Sequence, residues 1–330
     1  MTLLDLPSTV CAIGDVHGRA DLLASLIDFI EDQSARAPQG PRVYFLGDIV
    51  DRGPDSRRAM DIVCETLRRW PESRLLIGNH DFLFRDALTS QRLVHGWFDR
   101  GAISTLTSYL GNSDSYSFDD LALIKTRYPE HLRILQSASL IECIGRYAFV
   151  HAGIDPSDPI DRQDLTALLQ IRAPFLDHVG PLSHIVVHGH SPLMPPYPVV
   201  TENRISIDTS AVHSGVLTMA AIDTENDRIQ FYSTGHGGRV NEVDPVRLDR
   251  GFGTVVLQFA KSPSPNRAVH PEPGHLESCQ RNLRDSFTMG SSAPNQSCDI
   301  SRGFAGPCPN TPVNFQRAFN GPSKPLQKPS

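Results

Sequence analysis

No stretch of the 330-residue chain approaches the ~18–20 consecutive apolar residues of a membrane-spanning helix. Positive charge is also scarce. A net charge of −6 leaves no basic footprint for nucleic acid or for an acidic membrane surface. The six cysteines, Cys11, Cys64, Cys143, Cys279, Cys298 and Cys308, include no CxxC pair and no metal-type spacing. Incidental, reduced thiols are expected. The opening MTLLDLPSTVCAIGD lacks a basic segment and a small-residue cleavage site. Together these absences predict a cytoplasmic protein with neither a nucleic-acid nor a membrane partner. The length suits one large domain or two ordinary ones, with enough chain to bury a core. There is no internal repeat.

What is present is one design used five times. Val43 to Leu46 is a short apolar run of the kind that forms a strand buried on both faces, and Gly47 then delivers Asp48, Asp51 and Arg52 to its C-terminal end. Ligands bind at that edge of open α/β sheets. The same pattern of apolar run, then Asp, His or Asn beside Gly, recurs in CAIGDVHG at Cys11 to Gly18 and in LLIGNHD at Leu75 to Asp81. It appears twice more, in YAFVHAGI at Tyr147 to Ile154 and IVVHGHSP at Ile185 to Pro192. One such loop is weak evidence; GNHD alone reads as an Asx turn and His151 alone as a core histidine. Five form a constellation.

Taken in order, Val10 to Ile13 predicts a strand and Arg19 to Gln33 a helix, with Leu22, Leu23, Leu26, Ile27 and Ile30 on one face. VYFL predicts the second strand, Pro54 the start of a helix running to Trp70, and RLLI the third strand. Short crossovers imply parallel pairing. Helical stretches are expected at Phe82–Leu88, Gln91–Leu110 and Leu121–Leu135, making 82–137 an insert over the active edge. Strands return at SLIECIG, YAFVHAG, HIVVHGH, RISIDTS, GVLTMAAID and RIQFYST, joined in part by short turns, so the second half is expected to be antiparallel or mixed. The whole reads as two sheets face to face with helices outside. One last strand is expected within Thr254–Phe259. Residues 1–260 would form the catalytic domain; 261–330, rich in Pro and Ser, bury too little to offset their ordering entropy and are expected to be a disordered tail.

Asp15, His17, Asp48, Asn79, His151 and one of His188 and His190 offer oxygen and imidazole ligands without a thiolate. Such a set suits manganese, iron, zinc or magnesium. Asp48, between the flanking loops, is placed to bridge two ions. Two ions about 3.5–4 Å apart acidify a bridging water and clamp both sides of an in-line displacement at phosphorus. His80 could protonate the leaving oxygen with Asp51 holding its ring, while Arg52 and Arg172 offer planar forks to phosphate. His188 and His190, two apart, would share a face of a strand, and the spacing leaves either as the ligand. His213, near Asp208, is the remaining histidine that could border the site.

GDVHG, GDIVDRG, GNHD, VHAG and HGHSP, in this order, resemble the calcineurin-like metallophosphoesterases of the phosphoprotein phosphatase superfamily. The chain is similar in particular to bacterial and phage serine/threonine protein phosphatases and to relatives that split diadenosine tetraphosphate. The similarity covers about Cys11 to Ile222. It implies an α/β (α+β) fold, a four-layer α/β/β/α sandwich of two mixed sheets with a helical insert, and two divalent ions, manganese foremost. It also implies Asp15 and His17 on the first ion, Asp48 as the bridge, and Asn79, His151 and His190 on the second, with His80–Asp51 as the acid pair and Arg52 and Arg172 on phosphate. Asp81 stands where many protein phosphatases carry Glu; Gln170 and Ala173 flank Arg172 where relatives carry Trp and Glu; Ser210 replaces a common Gly.

The expected function is hydrolysis of phosphoserine or phosphothreonine by a bridging hydroxide, with a phosphoprotein or phosphopeptide as substrate. The alternative is a bis(5'-nucleosyl)-tetraphosphatase acting on small phosphorylated nucleotides. A phosphate-binding module without turnover is a third reading, against which both His80 and Asp48 stand.

Overall fold

The computed structural model describes residues 3–35, 40–90, 95–249 and 256–258, all within the unit Met1–Ser286. The expected tail at 261–330 lies outside the described residues. The chain opens with β1 (Thr9–Ile13), α1 (Ala20–Gln33), β2 (Arg42–Phe45), α2 (Ser56–Arg69) and β3 (Arg74–Leu75). Leu22, Leu23, Leu26 and Ile30 form the buried stripe of α1. Helix α2 begins past Pro54, where the Asp55 carboxylate caps it by accepting from the Arg58 N–H. Strand β3 is shorter than the RLLI run, although the Leu76 N–H still donates to the Phe45 carbonyl of β2 at 2.9 Å. On its other side Leu76 bridges Ser139, and Ile77 N–H donates to the Ser139 carbonyl.

Five helices follow: α3 (Asn79–Ser90), α4 (His95–Phe98), α5 (Ala102–Leu110), α6 (Phe118–Arg127) and α7 (Pro129–Ser137). Three points differ from expectation. The stretch expected as one helix at Gln91–Leu110 holds two, α4 and α5, parted by a turn at 99–101. Helix α3 starts at Asn79, so Asn79 and His80 are its first residues rather than a turn before it. The single stretch 121–135 is two helices, because Pro129 lacks the N–H needed in a helix interior and opens α7 instead.

The second half supplies β4 (Ile141–Ile144), β5 (Tyr147–Val150), α8 (Leu165–Gln170), α9 (Ala173–Leu176), β6 (Ile185–His188), β7 (Val199–Val200) and β8 (Arg204–Ser206). It continues with α10 (Ala211–Ser214), β9 (Thr218–Asp223), β10 (Arg228–Thr234), β11 (Val240–Val243), β12 (Val246–Asp249) and β13 (Val256–Gln258). One sheet runs β11-β10-β9-β1-β2-β3 and the other β13-β12-β7-β8-β6-β5-β4. Strands β1, β2 and β3 are parallel, and β9 returns antiparallel against β1. In the second sheet β5, β6 and β8 are parallel while β4 and β7 run against them.

Strand alternation builds the layers. Val10, Ala12, Tyr44 and Leu46 of the first sheet face Tyr147, Phe149, Val187 and Ile205 of the second across a buried core. The opposite face of the first sheet, with Cys11, Ile13, Val43 and Phe45, packs under the helices α1 to α7. Val150 and Val186 on the outer face of the second sheet meet Leu168 and Phe175 of α8 and α9. The fold is a layered α/β sandwich of two mixed sheets. Its parallel strands from both sheets end at one edge, where the five loops gather.

Candidate metal centre and active site

The loops at this edge are knitted together by backbone. Val16 and His17 N–H groups both donate to the Asp48 carbonyl, at 3.2 and 2.8 Å. Asp81 joins the next pair of loops: one carboxylate oxygen accepts from Ile49 at 2.9 Å and Val50 at 3.3 Å, the other from Gly78 at 3.1 Å. That gives the third motif's terminal acid a structural task. Glycine is required where loops touch, since a Cβ on Gly78 would collide with the backbone and carboxylate of Asp48, and one on Gly189 with the carboxylate of Asp15. His17, Asp48, Asp51, Arg52, His190 and Ser210 all hold left-handed backbone, with φ of 46, 52, 73, 68, 61 and 58°. Strain of this kind gathers at functional edges when surrounding structure enforces it.

Asp48 sits at the centre, with one oxygen 3.5 Å from His17 Nε2 and the other 3.5 Å from His151 Nε2. Both imidazoles are oriented from behind. His17 Nδ1–H donates to the Val50 carbonyl at 2.9 Å and His151 Nδ1–H to the Leu46 carbonyl at 2.7 Å. Each therefore presents an Nε2 lone pair to the centre, the arrangement by which ligating histidines are usually fixed. The oxygen of the Asn79 amide lies 3.1 Å from His151 Nε2, acceptor toward acceptor. Two groups of side chains converge closely enough to hold an ion each, His17, Asp48 and His80 in one and Asp48, His151 and His190 in the other, sharing Asp48. Asp15 adjoins both, accepting from the His190 N–H at 3.0 Å.

Charge points the same way. Burial, then the neighbouring carboxylates of Asp208 and Asp48, push Asp15 well above the usual carboxylate range. Burial likewise raises Asp208 to about 6. For Asp48 burial also opposes ionisation, but the imidazoles of His151, His80 and His17 outweigh it and hold the group low. Burial lowers His17 to about 3 and, helped by His151, His190 to about 2, which favours the neutral imidazole in both. Buried acids crowded around neutral imidazoles need added positive charge. Oxygen and imidazole donors without thiolate fit divalent ions.

Beside this centre His80 Nδ1 donates to Asp51 Oδ2 at 2.7 Å, with the two side chains 1% and 0% exposed. Burial lowers the basicity of His80, yet the Asp48 and Asp51 carboxylates more than compensate and its pKa is raised. The Arg52 guanidinium spans the gap, 3.0 Å from His17 Nε2 and 3.0 Å from His80 Nε2. Arg172 borders the opposite side, where it donates to the His190 carbonyl at 3.0 Å.

The two candidate histidines of HGHSP do not share a face, because β6 ends at His188 and His190 turns into left-handed backbone. His188 Nε2 accepts from the Ser206 hydroxyl at 2.7 Å and its ring meets Phe175 edge-on. His190 lies beside His151, ring centroids 5.1 Å apart. His213 is exposed on α10. Three contributors escaped the sequence reading. Asp208, after β8, repeats the strand-then-acid signal and could have been found. Trp97 and Thr105, which grip Asp51, lie in helices whose pattern carries no such signal.

Fold and site together define a metal-dependent hydrolase of phosphate esters. The chain belongs to the calcineurin-like phosphoesterase family, whose model matches residues 8–237. It is similar to the asymmetrical bis(5'-nucleosyl)-tetraphosphatase PrpE of Geobacillus thermodenitrificans, 27% identical over 228 residues, covering 62% of this chain and 87% of that protein. The PrpE of Bacillus thuringiensis is 30% identical over 230 residues with the same coverage. Among solved structures, a cold-active protein tyrosine phosphatase aligns with a TM-score of 0.46 and 17% identity over 72% of this chain and 79% of that one.

Proposed function

We propose that the chain hydrolyses phosphomonoesters of serine and threonine, with two divalent ions held by Asp15, His17, Asp48, Asn79, His151 and His190. Bound there, the ions would supply an acidified water and neutralise phosphate charge; manganese, iron, zinc and magnesium all suit the donors. The chain's own groups do the rest. Arg52 and Arg172 orient the phosphate, and His80, steadied by Asp51, gives the proton from Nε2 to the leaving oxygen as its bond to phosphorus breaks. Water is consumed: its hydroxyl stays on phosphorus, and its other proton restores the donor.

The observation that carries this reading is the buried 2.7 Å His80–Asp51 contact beside the shared Asp48. A serine or threonine alkoxide is a poor leaving group and gains most from a built-in acid. A nucleotide phosphate leaves readily and gains less. The second reading, hydrolysis of bis(5'-nucleosyl) tetraphosphates, is favoured by the names of the sequence relatives. The two are separated by steady-state kinetics of manganese-loaded protein on a phosphothreonine peptide and on diadenosine tetraphosphate. A kcat/KM at least tenfold higher for the peptide, about 1.4 kcal/mol of discrimination, is the expected result; the reverse order establishes the tetraphosphatase.

A further inference from the structure

Asp51 has more partners than an ion-pair acid needs. Its Oδ2, which already accepts from His80, also accepts from the Trp97 indole N–H at 2.9 Å. Its Oδ1 accepts from the Thr105 hydroxyl at 2.6 Å, and its backbone N–H donates to Thr105 Oγ1 at 2.9 Å and to the Ser56 hydroxyl at 3.1 Å. Next to it the Arg52 N–H reaches the Gly101 carbonyl at 3.4 Å. A Cβ on Gly101 would stand 2.9 Å from that nitrogen. Trp97 lies on α4, Thr105 on α5, and Gly101 is the residue that caps α5 between them. Trp97 is fully buried, stacked on Phe84 at 5.6 Å, and Thr105 is fully buried too.

We infer that Trp97 and Thr105 are positioning residues for the acid pair: α4 and α5 clamp the left-handed Asp51–Arg52 backbone and aim the Asp51 carboxylate at His80. The inference rests on His80 being the acid. A sequence-distant helical brace, rather than the loop itself, then sets how well the enzyme handles poor leaving groups.

Trp97→Phe keeps the ring and its stacking while removing the N–H; Thr105→Val keeps the volume while removing the hydroxyl. Each should lower kcat/KM on a phosphothreonine peptide about tenfold or more, the usual effect of losing a hydrogen bond to a charged group. On para-nitrophenyl phosphate, with its good leaving group, the loss should stay under about threefold, with bound manganese unchanged. Thr105→Ser should retain most of the peptide activity. The chain has two tryptophans, so a ¹⁵N-tryptophan spectrum of metal-free protein shows two indole N–H signals. The one lost in Trp97→Phe should move on Asp51→Asn, and the other should not. Equal losses on both substrates, or an unmoved indole signal, overturn the inference. His80→Asn separates the layers: if it spares the peptide selectively, the acid assignment itself fails. If it shows the selective loss and the Trp97 and Thr105 variants do not, only the brace is wrong.

Discussion

The two flanks of Asp48 are built differently. On the first-sheet flank, Arg52 ties His17 to His80 and Asp51 holds His80, side chain to side chain, with His17 also anchored to the Val50 carbonyl; three of these four residues, with Asp48, hold left-handed backbone. On the second-sheet flank, the contacts run mostly to backbone: His151 to the Leu46 carbonyl, the His190 N–H to Asp15, Arg172 to the His190 carbonyl. A flank anchored to main chain is suited to hold a charge in a fixed place. One held by a mesh of side-chain protons is suited to pass a proton and grip an anion. Asp48 belongs to both candidate ion-holding groups, so replacing it should break both at once. Asp48→Asn should strip bound manganese and lower turnover beyond the ~10²–10⁴ attributable to acid catalysis alone; metal analysis beside kinetics checks that the losses coincide.

A division of labour implies that metal content and turnover separate between the acid pair His80–Asp51 and the proposed ligands, His17 among them. His80→Asn should cut turnover on a phosphothreonine peptide by about 10²–10⁴ while leaving most of the metal. His190→Asn should lose metal in step with activity. If His80→Asn emptied the site, His80 would be a ligand, as its place in the first ion-holding group allows, and the comparison would collapse.

The arginines give a finer contrast. Both are exposed, but Arg52 lies between His17 and His80, whereas Arg172 is held by a carbonyl. A charge-assisted hydrogen bond is worth about 1.5–3 kcal/mol. Arg52→Ala should therefore cost about 10² in kcat/KM, and Arg172→Ala about tenfold. Arg52→Lys should recover little, because an ammonium cannot span two partners as a fork does. Equal losses would place the phosphate midway and remove the asymmetry.

The sequence made the edge legible because its signal is local. An apolar run ending in Asp, His or Asn states both the strand and the group it carries, and the five repeats of that signal hold nine of the ten candidate side chains, Arg172 lying outside them. Where local pattern and three-dimensional partner diverge, it fell short. The alternation rule put His188 and His190 on one face, but a strand that stops at His188 voids the rule. RLLI has the composition of a four-residue strand, yet the strand stops at Leu75, and Ser139 pairs with Leu76 and Ile77. Trp97 and Thr105 lie 46 and 54 residues from the carboxylate they hold; no periodicity encodes that meeting. Pro129 did announce the break between α6 and α7, a readable signal passed over.

The smallest predicted effect concerns strain that does no chemistry. Ser210 takes φ 58° like the residues of the site. Its place in the fold explains the glycine common at this position in relatives: the backbone here is left-handed, where a Cβ is costly. What Ser210 contributes is its N–H, donated to Asp208 at 2.9 Å, and glycine keeps that donor. Ser210→Gly should therefore stabilise the fold, by about 0.5–1 kcal/mol once the greater freedom of glycine in the unfolded chain is subtracted. That corresponds to a rise of about 2 °C in Tm, measured by thermal melting of metal-free protein. The same exchange at Arg52, also left-handed, should relieve strain as well but remove the guanidinium with it, so stability and kcat/KM should move in opposite directions there. Should Ser210→Gly instead destabilise the fold, the hydroxyl would have a role in holding Asp208, and Ser210 would join the working residues of this edge.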